Sequence, residues 1–294
     1  MKTRMSFRLL AVLMMAAFVF ASCDDDDDDN KVETPQSIVD VAVSNPDFSV
    51  LVAAVQKAGL VDALADPNAD LTVFAPTNAA FEALLEQLDY ATLDEVPVSV
   101  LTPVLLYHVL GEQKTASQLA DGYYSTLAAG PAEGSLLSLY KAGADLNASA
   151  SITDTDVMAD NGVIHVIDAV LLPPNIVDVA LANPNFSILV EAVLKADLAG
   201  ALSAEGPFTV FAPTNAAFEA LFIALEVNGV EDLDVETLTA VLLSHVVEGN
   251  VLAADVSSGS VPTLNAEKQL FIGWCVPSVL NLCLCFEQKT LATV

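Results

Sequence analysis

The chain has 294 residues, long enough for two domains that each bury a core of their own. Its 39 acidic side chains against 10 basic ones leave a formal charge of −29, which repels phosphate backbones and anionic headgroups and supplies no Lys/Arg stripe. Nucleic acid is thereby excluded as a partner.

Lys2, Arg4 and Arg8 precede an apolar run from Leu9 to Phe20 and the small residues Ala21 and Ser22. This is the layout of a secretory signal peptide over residues 1–22, too short for a comfortable membrane span. Phe20-Ala21-Ser22-Cys23 resembles the lipobox of bacterial lipoproteins, with Phe20 where an aliphatic residue is usual. That resemblance implies that Cys23 becomes the acylated first residue of the mature protein, anchored to membrane by its acyl chains. Asp24 to Asp29 are six consecutive acids, followed by a polar stretch to Gln36. Such a run repels itself and cannot be buried, so residues 23–36 read as a solvated, extended tether. Its position after the cysteine resembles the acidic surface-export signals of lipoproteins in the Bacteroidetes, which implies an outer-membrane anchor facing outward. Calcium binding by the run is disfavoured, because unstructured acids lack the ligand geometry of a calcium site.

From residue 38 the sequence repeats itself. IVDVAVSNPDFSVLVAAVQKAGL over 38–60 matches IVDVALANPNFSILVEAVLKADL over 176–198, and LTVFAPTNAAFEALLEQL from Leu71 matches FTVFAPTNAAFEALFIAL from Phe208. LTPVLLYHVLGE from Leu101 then matches LTAVLLSHVVEG from Leu238. The offset is 138 residues at first and 137 afterwards, so one residue is lost before the TVFAP segment. Two domains follow, over 37–173 and 174–294, with the boundary near Pro173 and Pro174.

Within one repeat, Asn45-Pro46-Asp47 signals a start, and Phe48, Leu51, Val52 and Val55 recur at helical spacing up to Gly59. Leu71 to Phe74 is a short β-branched and aromatic run ended by Pro76, a strand running into a turn. Thr77 or Asn78 can cap the next helix, which carries Phe81, Leu84, Leu85 and Leu88 on its apolar side. Leu101 to Val109 reads as a further apolar helix. After Gly111 the pattern changes to turns and short strands, ending with Gly162 to Asp168 and Ala169 to Leu172. Helices first and strands later, without βαβ alternation, predict an α+β fold.

TVFAPTNAAF in both repeats, the Tyr107-His108 pair inside LLYHVL, and NGVIHVIDAVLLP from Asn161 resemble the signature segments of fasciclin domains, in their usual order. The resemblance runs from Pro35 to about Leu270. It implies a compact β-wedge or sandwich flanked by helices, and an extracellular role in adhesion or in matrix and polysaccharide contact.

His108 and His245 stand at equivalent places on apolar helical faces. One reading makes each a satisfied core residue, its ring bonded to a nearby backbone or hydroxyl group. The resemblance implies the other, since the Tyr-His segment has been linked to receptor binding in animal members of the family. Ser244 replaces Tyr107 in the second repeat, so only the first keeps the pair whole. Thr77-Asn78 and Thr214-Asn215 divide in the same way: a strand-to-helix turn and cap explains the residue types, and the family resemblance makes the segment a candidate interaction edge. Asp154, Asp156, Asp160 and Asn161 lack the Gly and Glu that complete an EF-hand loop, and Asn161-Gly162 reads better as a turn. Asn147-Ala148-Ser149 and Asn185-Phe186-Ser187 fit the sugar-acceptor tripeptide, a motif short enough to recur by chance. With three histidines, and no cysteine between Cys23 and Cys275, neither a Cys–His nucleophile nor a metal cluster is supplied, and no cofactor motif occurs.

Phe271 to Phe286 holds three of the four cysteines and the only tryptophan, where a continuing repeat would approach its late strands. Pro277 and Asn281 interrupt it as a membrane span, and Cys283-x-Cys285 has no second pair for zinc. A frameshift or truncation at about residue 270 is therefore expected, leaving the second domain incomplete. The sequence reads as a lipid-anchored binding module of a bacterial cell surface, with a matrix protein, glycan or neighbouring cell as its partner. The alternative is a surface or periplasmic hydrolase working through acidic residues.

Overall fold

The computed structural model describes residues 36–204, 206–252, 259–265 and 269–272, all within one compact unit, Gln36–Val294. The signal segment, Cys23, the acidic run and the cysteine-rich tail from 273 lie outside the described residues.

The first repeat opens with short, well-capped helices. Helix α1 (Ile38–Ser44) starts at Ser37, whose hydroxyl accepts the Asp40 N–H while the Asp40 carboxylate accepts the Ser37 N–H. Asn45-Pro46-Asp47 does start a helix: one 3-10 turn (Pro46–Phe48), with Asn45 Oδ1 accepting the Asp47 N–H and the proline preset for a first turn. Helix α2 (Ser49–Ala58) buries Leu51, Ala54 and Val55 and stops at Gly59, whose φ of 70° is the left-handed conformation that favours glycine. A short α3 (Val61–Leu64) leads to β1 (Leu71–Pro76), buried along its whole length. Helices α4 (Asn78–Gln87) and α5 (Val98–Tyr107) follow. On α4, Phe81 is buried, whereas Leu88, expected on the apolar side, caps the helix end and is exposed.

The strands are β2 (Val109–Leu110), β3 (Gly122–Ala129), β4 (Leu136–Ala142), β5 (Asp145–Leu146), β6 (Ala150–Ala159) and β7 (Gly162–Ile167). Each pairs antiparallel with the next, and β7 pairs parallel with β1 from Leu71↔Gly162 to Pro76↔Ile167, so the ring closes. Strand β1 thus has a partner on either edge and apolar packing on either face, which is why its sequence is almost continuously apolar. Leu71, Val73 and Ala75 join the core under the helices, and Phe74 joins a second core inside the ring with Tyr107, Leu110, Leu139 and Leu146. The mixed α+β class holds. Ala169 to Leu172, expected among the strands, forms no ladder, because the Leu171 N–H is taken by His108.

The second repeat rebuilds the helical half: α6 (Ile176–Ala182), a 3-10 turn (Pro184–Phe186), α7 (Ser187–Lys195), α8 (Ala199–Leu202), β8 (Phe208–Val210), α9 (Asn215–Leu225), α10 (Val235–Leu243) and β9 (Val246–Glu248). Phe186, Leu189, Val193, Phe218 and Leu238 form its core. A hairpin of β10 (Gly259–Pro262) and β11 (Gln269–Ile272) follows. Among the described residues, β8 pairs only with β9, and no counterpart of β7 covers its other edge.

Candidate functional site

The Tyr107-His108 pair closes α5 and points inward, Tyr107 at 0% exposure and His108 at 2%. His108 Nδ1 lies 2.7 Å from the Val104 carbonyl and therefore carries the proton, which leaves Nε2 to accept the Leu171 N–H at 2.9 Å. Burial pushes the imidazole pKa down to about 4 against the opposing pull of the Val104 bond, so the ring is neutral at neutral pH. Tyr107 donates its hydroxyl to the Ser138 carbonyl at 2.8 Å and accepts from Asn147 Nδ2 at 2.7 Å. Its pKa is pushed up to about 12 by burial, which outweighs the Asn147 bond. The two side chains tie the end of α5 to the segment after β7 and to the β4–β6 side of the ring. Asn147, the first sugar-acceptor match, is spent here: its Oδ1 also accepts the Tyr140 N–H at 2.9 Å.

Thr77 and Asn78 form the strand-to-helix turn between β1 and α4. The Thr77 hydroxyl accepts the Ala80 N–H at 3.4 Å as the helix cap. Asn78 does more: its Oδ1 accepts the Val50 N–H at 2.9 Å, and its Nδ2 donates to the Pro46 carbonyl at 2.9 Å and to Ser49 Oγ at 3.0 Å. The amide thus staples the turn to the start of α2. Asn215 repeats this with the Ile188 N–H, the Pro184 carbonyl and Ser187 Oγ, all at 3.0 Å. Thr214 stands at the same cap position without a side-chain bond to the helix.

His245 keeps one half of the His108 arrangement. Its Nδ1 lies 2.8 Å from the Val241 carbonyl, and Nε2 has no hydrogen-bond partner among the described residues. Ser244, where the first repeat has Tyr107, donates to the Ala240 carbonyl at 2.7 Å and accepts from Asn265 Nδ2 at 3.0 Å. His245 lines an apolar groove between α6, α7 and β8.

The acids near β6 do not converge. Asp156 accepts the Ala116 N–H at 2.7 Å, Asp160 accepts the Gln36 N–H, and among the described residues no three metal-ligating side chains share a site. Asn161 is more than a turn residue: it is 1% exposed, accepts the Ile38 N–H at 2.8 Å and donates to the carbonyls of Leu64 at 2.8 Å and Asp66 at 3.0 Å. His165 is fully buried on β7, with Nε2 2.9 Å from the Lys114 carbonyl. Self-comparison of the sequence could not flag either residue, because their segment occurs once. Thr72 and Lys57 were open to it. Thr72 bonds Glu112 and Lys114 as Thr209 bonds Gly249 and Val251, and Lys57 and Lys195 each donate to carbonyls of a 3-10 turn.

The family model described as Fasciclin domain matches residues 46–173 and 184–273. Among curated proteins, Protein sll1483 of Synechocystis sp. is 42% identical over 143 residues, covering 48% of this chain and 76% of that one. The cell surface glycolipoprotein MPB83 of Mycobacterium bovis is 34% identical over 145 residues, 47% of this chain and 60% of that one. Human periostin is 28% identical over 239 residues, 80% of this chain but only 27% of periostin. Among solved structures, the FAS1 domain pair of the insect cell adhesion molecule Fasciclin I covers 75% of this chain and 82% of that one, at 15% identity and a TM-score of 0.47.

Proposed function

The chain belongs to the fasciclin-domain family, and from that premise we propose that it is a surface-displayed binding module, held to a bacterial outer membrane by acylated Cys23 and contacting a matrix protein, glycan or neighbouring cell. The observation that carries this reading is the likeness to a cell surface glycolipoprotein over 145 residues, in a chain that places a lipobox-like cysteine ahead of an acidic run. Among the described residues no single helix is long and apolar enough to cross a membrane, and the attachment we propose, through Cys23, rests on the lipobox-like segment. Internal bonds hold Tyr107, His108, Asn78 and Asn215, which supports contact through the exterior of the domains rather than through these polar atoms.

A hydrolase working through carboxylates would use an acid whose pKa is held up near neutrality. The described carboxylates that depart from ordinary behaviour, Asp40, Asp121, Asp232 and Asp234, are all held down, chiefly by bonds from Ser37, Gly143, Asn228 and Thr237. That supports binding over hydrolysis.

Fractionation of cells expressing the full chain tests the anchor. The native chain should sediment with membranes, and Cys23→Ser should appear in the soluble fraction. A variant that stays wholly membrane-bound refutes acyl anchoring. Incubating the soluble variant with cell-wall polysaccharide and matrix fractions then tests binding, which is expected to be saturable and to survive His108→Gln.

A further inference from the structure

The same apolar groove recurs in both repeats, between α1, α2 and β1 in the first and between α6, α7 and β8 in the second. In the second repeat Val177 and Ala180 of α6, Val190 and Val193 of α7 and Val210 of β8 line it, and no Asp, Glu, Lys or Arg side chain does. The Thr209 hydroxyl in the lining is spent on the Gly249 carbonyl and the Val251 N–H. Charge lies on the rims instead. On α6, Leu181 stands 55% exposed one turn after the exposed Asp178, and on α7 Leu194 stands 62% exposed one turn after the exposed Glu191. Residues three apart are neighbours on a helix surface, so each rim sets an outward leucine beside a carboxylate. Lys195, four residues after Glu191, is committed elsewhere: its ammonium donates to the carbonyls of Val230, Glu231 and Leu233. Among the described residues the ion pairs are Lys114–Glu112 and Lys141–Asp121, so neither rim carboxylate is neutralised. The first repeat keeps Asp40 and Val43 on the α1 side, but exposed Ala53 and Gln56 stand where α7 has Glu191 and Leu194. The fold is built equally well with those residues, so it does not itself require the leucine or the glutamate of α7.

We propose that the second-repeat groove docks a basic amphipathic helix of a partner protein. Its apolar side chains, at helical spacing, enter between the two rim leucines, and flanking Lys or Arg side chains meet Asp178 and Glu191. Charge complementarity selects this occupant. A fatty acid or an anionic lipid surface would bring like charge to both rims of a chain whose formal charge is −29. A glycan would lay hydroxyls against an apolar lining, and an uncharged apolar segment would shield the rim carboxylates from water without pairing them. The proposal rests on the reading of the chain as a surface binding module, and it narrows the partner to a protein with a basic helical segment seated on the second repeat.

The test titrates the full chain, carrying Cys23→Ser so that anchoring plays no part, with a labelled model helix of about 18 residues, leucine on one face and lysine on the other. A single site per chain is expected, weakening about 5-fold or more from low to physiological salt. The same helix with glutamine for lysine should bind about 10-fold or more weakly. Giving the groove the first repeat's residues, Leu194→Gln with Glu191→Ala, should likewise cost about 10-fold or more, and Leu181→Gln should weaken binding by itself. The reverse exchange in the first repeat, Gln56→Leu with Ala53→Glu, should add a second site. All these positions except Leu181 have a counterpart of the introduced type in the other repeat, and all are exposed, so the folded state is kept and the urea midpoint checks it. Native affinity in both the Leu194→Gln, Glu191→Ala chain and the Leu181→Gln chain overturns the proposal, because general acidity then attracts the helix. Equal, salt-insensitive binding of the lysine and glutamine helices overturns it in favour of an uncharged apolar ligand. Neither result bears on Cys23 or on binding to matrix fractions, which test the surface-module reading separately.

Discussion

His108 is neutral because the fold leaves no room for its second proton: Nδ1–H is committed to Val104, and Nε2 must stay an acceptor for Leu171. This makes the stability of the first domain depend on pH in a defined direction. The unfolded chain takes up a proton on His108 near the ordinary value of 6.5, whereas the folded domain resists until about 4. As pH falls through that window the unfolded state binds more protons, so the contribution, on the order of 3 kcal/mol at neutral pH, is lost progressively and is gone below the folded value. Urea titrations at several pH values should show this slope in the native domain and a flatter one in His108→Gln, with the variant about 1 to 3 kcal/mol less stable at neutral pH. Equal slopes would show that His108 does not titrate in this way. Asn78 makes a sharper residue-level case, since one amide satisfies a helix N–H and a helix carbonyl at once. Asn78→Asp keeps the acceptor but loses both donors, so it should cost nearly as much as Asn78→Ala, about 1 to 3 kcal/mol in a denaturation midpoint series. If Asp proves silent, the donated bonds carry no weight.

Parallel pairing of β1 with β7 depends on Gly162, where the strand begins. Its φ is +154°, and a Cβ there would meet the Leu71 carbonyl oxygen at 2.1 Å and Ile38 Cδ1 at 2.8 Å. Backbone cannot give way as a side-chain tip can, so Gly162→Ala should cost at least about 3 kcal/mol and increase dye binding to exposed apolar surface. A variant with native stability would mean that the start of β7 adjusts freely. Much of this architecture was legible beforehand. The caps at Ser37 and Asn175 went unnoticed, but the Asn-Pro start, the Gly59 stop, the TVFAP strand and the VIHVID strand followed from side-chain type and spacing alone. Ring closure did not, because a parallel pairing between residues 71–76 and 162–167 is a long-range choice that leaves no local pattern. The roles of Asn161 and His165 were hidden for the related reason that their partners, Ile38, Leu64 and Lys114, are remote in sequence. The repeat marked His108 and the family resemblance marked Tyr107 with it, yet whether they faced solvent or core depended on which segment packed over α5.

At the scale of the molecule, the two repeats keep their cores apart. The clusters under the first helices and inside the ring draw on residues from Ile38 to Leu171, and the helical core of the second repeat draws on residues from Val177 to Val246. A tie crosses the boundary where Asn183 Nδ2 donates to the Tyr123 hydroxyl at 2.9 Å. Asn183 can serve there because its other end, Oδ1, already accepts the Asn185 N–H at 3.0 Å, the same local cap that Asn45 makes in the first repeat. Such a half-buried neutral bond is worth about 1 kcal/mol, small beside the burial of Phe48, Phe74, Phe81 and Leu139 at roughly 1.5 to 3 kcal/mol each. Residues 36–173 should therefore fold alone, since their ring is closed, β1 has both neighbours, and nearly every buried polar group finds its partner within the segment. Expressed by itself, that segment should unfold in urea in one cooperative transition, within about 1 kcal/mol of the first-repeat transition of the whole chain. Tyr123→Phe in the whole chain should then change the first-repeat transition little, because it removes only the tie. A segment that is molten, or more than a few kcal/mol weaker than in the whole chain, would show that the second repeat supports the first through more than this contact.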